Sequence, residues 1–206
     1  MMIWLIEISL ILITVILIVH AQAVYDPAFV KVFWGTGVFL GLFREYSLAH
    51  AMHLYEYGEF NITILGIPFI YLLFWSNLAY VGLIWSNNFL QRDYLRVPPF
   101  DAHLPLIFLT MVLVSFAIEA MFSQFGLIIW QVDSNSRLWG ETPVLAVFAY
   151  GWTAVLFIKN FKILSWKPSP DWRILYLKVA LAQVPVVLML AGLLLLSNLG
   201  IILFLS

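Results

Sequence analysis

Cysteine is absent from all 206 residues. Its absence excludes disulfides, thiolate nucleophiles, cysteine zinc sites and iron–sulfur clusters. Charge is scarce as well, since 10% of the residues are Asp, Glu, Lys or Arg and the net charge is −1. Such a balance leaves no electrostatic footprint for nucleic acid, and none is expected as a partner. Neither a phosphate-binding glycine loop nor a nucleotide fingerprint occurs, which is consistent with chemistry that needs no cofactor. What is present is apolar, with 64% hydrophobic residues and a mean hydropathy of +1.00. A soluble domain of this size cannot bury so much apolar surface, so membrane lipid is the expected solvent.

About 20 apolar residues cross the hydrocarbon core as a helix. Six runs reach that length, roughly 2–24, 28–49, 64–89, 103–125, 142–162 and 173–204. The expectation is an all-α, polytopic membrane protein forming one integral membrane domain over residues 1–206. The first run lacks a basic start and reads as a span rather than a cleaved signal. Asp26-Pro27 ends the first run and caps the second, and Asp101 stands where a cap for the fourth belongs. Pro68 and Pro143 fall in first turns, and Pro185 predicts a kink in the last run. Basic residues gather after helices 1, 3 and 5, at Lys31, Arg92, Arg96, Lys159, Lys162, Lys167 and Arg173. The positive-inside rule then puts both termini of this multi-pass chain outside the cytoplasm, in the cell membrane.

Two stretches resemble one another. Glu45 precedes Pro68 by 23 positions, Glu119 precedes Pro143 by 24, and an aromatic, Trp75 or Tyr150, follows each proline by seven. The predicted repeat units are about 28–89 and 103–162, running parallel about an axis along the membrane normal. Each unit keeps a carboxylate inside an apolar helix, an expensive feature that marks functional sites. Glu45 and Glu119 are therefore the candidate catalytic residues, and Glu7 is expected at the same depth. One desolvated carboxylic acid donates a proton and its partner accepts. The alternative for Glu45 is a structural ion pair with Arg44.

Tyr55 and Tyr57 are placed to lid such a site, although aromatic and acidic loops are also ordinary at a membrane interface. Asp133 and Glu141 in the second loop rank below them. Tyr71, Trp75, Tyr150 and Trp152 lie one to three turns inside helices 3 and 5. They line either an apolar slot whose π faces stabilise a passing cation or a packed core. His50 and His53, with Glu45, form a fallback metal cluster at helical spacing, against the plainer reading of interfacial histidines. Gly37 and Gly41 make a small-xxx-small pair for close helix approach.

The order acid, Tyr-x-Tyr loop, Gly-Ile-Pro turn, Trp helix, acid, Gly-x-x-x-Trp loop, proline turn and aromatic helix resembles the carotenoid 1,2-hydratases. The matching pieces are Glu45, Tyr55, Tyr57, Gly66-Ile67-Pro68, Trp75, Glu119, Gly126, Trp130, Pro143 and Trp152, within about residues 35–158. The chain departs from the family pattern at Ala51-Met52-His53-Leu54, where Gly-Pro-Phe-Gly is usual, and at Glu141-Thr142-Pro143, where Gly-Val-Pro is. The resemblance implies a cofactor-free membrane lyase of carotenoid or isoprenoid biosynthesis that adds water to a terminal C=C bond. It also implies an apolar carotenoid substrate, and it adds Trp130 to the substrate-binding set. Two other classes stay open, a small proton-coupled permease and a non-catalytic membrane scaffold, because parallel repeats and intramembrane carboxylates occur in transporters too.

Overall fold

The computed structural model describes residues 2–98, 100–131, 142–165 and 171–198. The chain is mostly helical, with α1 Met2–Val24, α2 Pro27–Glu45, α3 Phe69–Leu90, α4 His103–Gln124, α5 Val144–Ser165 and α6 Trp172–Asn198. Helices α2 to α6 close a ring in chain order, α6 returning to α2, and α1 lies outside it against α3. Among the described residues five helices, all but α2, are long and apolar enough to cross a membrane, and the chain reads as a multi-pass membrane protein. The six expected spans thus become five by length and apolarity. Helix α2 has 19 residues and carries Lys31, Arg44 and Glu45. Arg44 and Glu45 are buried within the bundle while Lys31 is exposed near the start of the helix, whereas α1 turns Leu5, Leu12, Ile16 and Val19 outward.

Asp26 and Pro27 start α2 as expected, with the Asp26 carboxylate accepting from Phe29 N at 2.8 Å. Asp101 does not cap α4. Its side chain bonds His103 Nδ1 at 2.6 Å and Arg92 at 3.3 Å, and the helix begins at His103 without a side-chain cap. Gly37 and Gly41 do bring two helices together: a Cβ on Gly41 would lie 2.9 Å from the Leu72 carbonyl oxygen of α3. Pro185 lies inside α6.

Helix α3 begins five residues later than the apolar run. Strands β2 Thr63–Ile64 and β3 Ile67–Pro68 pair as a two-residue hairpin. Its turn places Leu65 at φ 53° and Gly66 at φ 77°, the double left-handed conformation of a type I′ turn. Pro68 and Pro143 accordingly sit one residue before their helices. After Glu45 the chain widens into a π-helical turn, Tyr46–Ala51, and His53 at φ 51° redirects it into strand β1, Tyr55–Tyr57. Strand β4, Ile128–Trp130, runs antiparallel to β1 and sets Tyr55 opposite Trp130.

The two ends of the bundle are built differently. At the α2 C-terminal end, buried Glu7 accepts from Asn61 N, Ile62 N and Asn61 Nδ2 at 2.8–3.0 Å and so holds the loop before β2. At the other end, the buried Lys162 ammonium donates to the Tyr94, Val97 and Pro98 carbonyls, 3.9 Å from the Tyr94 ring centroid.

Candidate functional site

Glu45 ends α2 and Glu119 lies one turn before the end of α4; both are 1% exposed. Each bonds the aromatic that follows a proline by seven positions. The Trp75 indole donates to Glu45 Oε1 at 3.0 Å, and the Tyr150 hydroxyl donates to Glu119 Oε1. The Trp75 and Tyr150 rings stack, with centroids 4.7 Å apart and planes at 23°. One stacked pair therefore joins the two carboxyls.

The remaining walls form a continuous belt of ring contacts. Trp130 packs on Tyr55, Tyr55 on Tyr57, Tyr57 on Tyr71, Tyr71 on Phe74 and Phe74 on Tyr150. The β1–β4 pair supplies the first part of this belt, because alternation on a strand points Tyr55 and Tyr57 the same way. Their hydroxyls both donate to Glu45 Oε2, Tyr57 at 2.7 Å. Burial first, then the negative charge of Glu45, pushes both phenols well above their ordinary value.

The two acids differ in how completely they are bonded. Glu45 Oε1 accepts from Trp75 and from Arg44 Nη1 at 2.6 Å, while Oε2 accepts from two tyrosines. A carboxylate has about four lone-pair sites, so the hydrogen-bonding capacity of Glu45 is filled. Among the described residues Glu119 accepts from Tyr150 alone, and its Oε2 has no partner. The Trp130 indole lies near this carboxyl without closing a hydrogen bond. Tyr71 Oη and Arg44 Nη2 are likewise buried and unpartnered among the described residues.

Arg44 changes the expected use of the aromatics. Its guanidinium carbon lies 4.1 Å from the Trp75 ring centroid and 4.8 Å from that of Tyr150. These two π faces hold a resident cation. The ion-pair alternative for Glu45 is therefore what the fold contains, and Arg44 belongs to the site. A guanidinium next to an acid in an apolar helix was its signal in the sequence.

Trp152 does not join this enclosure. It is 52% exposed and packs outward on Phe108, because two residues past Tyr150 is about 200° around a helix. Nor do Glu45, His50 and His53 cluster, since among the described residues no three His, Cys, Asp or Glu side chains gather as a metal site. The π-helical turn that ends at Ala51 removes the α-helical spacing on which that cluster depended. His50 lies instead over the Gly66 backbone. Asp133 and Glu141 fall outside the described residues.

Two openings flank the enclosure. A polar vestibule of about 420 Å³ lies over the tyrosines, lined by His50, His53, Glu56, Tyr57 and Thr63 among others. An apolar groove of about 310 Å³ runs between α1, α3 and α4, bounded by Leu5, Ser9, Ile13, Phe74, Ile118 and Phe122. Phe74 and Phe122 touch Tyr71, and Phe74 also touches Tyr150, whose hydroxyl bonds Glu119, so the groove reaches the acid through these rings. No protein-family model, curated protein or solved structure matches this chain.

Proposed function

We propose that this chain is a cofactor-independent membrane enzyme that adds water to a terminal C=C bond of an acyclic isoprenoid, a carotenoid hydratase-like lyase. The observation that carries this reading is the pairing of a saturated carboxylate with a half-bonded one inside an aromatic enclosure. Glu119 Oε2 holds the transferable proton. It protonates the less substituted alkene carbon, and the π electrons of the double bond form the new C–H bond. The tertiary cation left behind takes the oxygen of one water, and the proton released by that water returns to Glu119. Glu45 transfers nothing in this scheme. It positions Tyr55, Tyr57 and Trp75 and balances the charge of Arg44. The apolar groove suits the hydrocarbon chain arriving from lipid, and the polar vestibule suits water.

The same reading takes α2 as a sixth span and α2–α3 and α4–α5 as parallel repeats, with the acid end of the bundle outside the cytoplasm. The matched acid-to-aromatic bonds support the repeat, and the basic residues at the opposite end support the orientation. Reporter fusions at the C-terminus test the latter.

The functional experiment is expression in cells that accumulate lycopene, with mass analysis of the pigment. The wild type is expected to yield a product heavier by one water, and Glu119→Gln to lose about a hundredfold or more of that rate. Full activity in Glu119→Gln, or unmodified pigment in cells holding folded wild-type protein, overturns the reading.

A further inference from the structure

The bonds that close around Glu45 leave an uneven remainder. Among the described residues, the buried polar atoms without a partner include three donors around this enclosure, Arg44 Nη2, Tyr71 Oη and Trp130 Nε1, and one carboxyl oxygen, Glu119 Oε2. Their side chains belong to residues no more than 4% exposed. A buried polar group left unsatisfied costs about 1–3 kcal/mol, so four in one enclosure make a polar surface that a ligand completes. They share neighbours. Tyr150 bonds Glu119 and faces Arg44, Tyr71 lies between Tyr57 and Phe74 in the aromatic belt, and Trp130 rests on Tyr55 beside the Glu119 carboxyl.

We infer that this enclosure is a binding site for an uncharged oxygen function, a hydroxyl or carbonyl, at the end of an apolar chain. The inference rests on the hydratase reading for its isoprenoid ligand but not for its donor chemistry. Donors outnumber acceptors, so the complementary group is an acceptor, and a bare hydrocarbon end satisfies none of them. With Glu119 Oε2 protonated, as the hydratase reading has it, a hydroxyl or carbonyl oxygen accepts from two of these four groups. A carboxylate is the wrong ligand although Arg44 is present. The positive charge of Arg44 is already balanced by Glu45 at 2.6 Å, and a second anion would stand unpaired beside two carboxyls. The apolar groove behind Phe74 and Phe122 takes the rest of the molecule.

The test is calorimetric binding to the detergent-solubilised full chain with four probes of similar size, linalool, the ketone geranylacetone, the hydrocarbon myrcene and geranic acid at neutral pH. Linalool or geranylacetone is expected to bind about tenfold or more tighter than myrcene, and geranic acid no better than myrcene. Which oxygenated probe is tighter distinguishes hydroxyl from carbonyl. Tyr71→Phe removes only an unpartnered hydroxyl and should bring the oxygenated probes towards myrcene while leaving myrcene unchanged. Trp130→Phe serves as the second variant. Equal binding of all four wild-type probes overturns the inference, and so does a preference for geranic acid. Turnover plays no part in this measurement. Selective binding without pigment hydration removes the hydratase reading alone, and hydration without selectivity removes this inference alone.

Discussion

Glutamine at position 45 and glutamine at position 119 are equivalent on sequence grounds, and the structure makes them unequal. Glu45 accepts two hydrogen bonds on each oxygen and neutralises a guanidinium buried with it. In Glu45→Gln the amide nitrogen must face one of those donor pairs. Either the two tyrosines lose their acceptor or Arg44 and Trp75 do, and in both rotamers Arg44 is left as an unpaired cation. Removing one partner of a buried pair costs about 3–5 kcal/mol. Glu119→Gln keeps a carbonyl oxygen for Tyr150 and adds an amide where Oε2 had no partner among the described residues. The expected change is about 1 kcal/mol or less. Unfolding titrations with sodium dodecyl sulfate in mixed micelles, followed by circular dichroism, measure the difference. The double substitution Arg44→Met with Glu45→Gln removes the stranded charge and should recover a large part of the loss, giving a strong favourable coupling. Equal stability of the two single variants, or additivity in the cycle, would refute the assignment of Glu45 as a fixed anion.

Helix α2 gives the second prediction. Gly41→Ala places a methyl 2.9 Å from the Leu72 carbonyl oxygen and 3.0 Å from its Cα, so the backbones must part and about 1–3 kcal/mol is lost. Gly82→Ala in α3 meets nothing nearer than 3.5 Å and should gain about 0.5–1 kcal/mol; the same unfolding titration shows whether the signs oppose. The third concerns acid. The hydrogen bond from His103, then the charge of Arg92, holds the Asp101 carboxyl below the usual carboxylate range. A depressed folded value means that this stabilisation is complete above the ordinary aspartate value and lost as pH falls through the folded one. Asp101→Asn should flatten the acid limb of the stability–pH curve, and curves for wild type and variant that stay parallel there would refute it.

The carboxylates, their prolines and their aromatic partners were legible in the sequence because they recur at nearly fixed spacing along helices, where position fixes direction. Trp75 and Tyr150 bond the acids for that reason. Trp152 was misread through the same rule, since facing follows the 3.6-residue turn and not proximity in sequence. The fallback cluster of Glu45, His50 and His53 fails, and the plainer reading of interfacial histidines stays, because an α-helical spacing was extended into residues that fold as a π turn. Other parts left no signal at that scale. Strands β1 and β4 are three residues each and pair across more than seventy positions, and Glu7 reaches Asn61 across 54. Such contacts are chosen by the packed bundle and not by local periodicity.

The sequence also shows why the two acids have come to differ. Arg44 precedes Glu45 in α2, whereas Ile118 precedes Glu119 in α4. In the first segment the neighbouring cation folds back onto the Trp75 and Tyr150 faces, pairs with the acid and completes its hydrogen bonding with two tyrosines and an indole. In the second the neighbour is apolar and faces the groove, so Glu119 has no adjacent cation to pair with and one of its oxygens is left without a partner among the described residues. A single difference in the residue before each acid thus separates a carboxylate that holds the enclosure together from one that is available to a ligand. The fixed pair also supplies a field that is already balanced within the enclosure. On the proposed hydration, the anion left when Glu119 gives up its proton is balanced by the carbocation that the proton creates, so no counter-charge need be gathered from water.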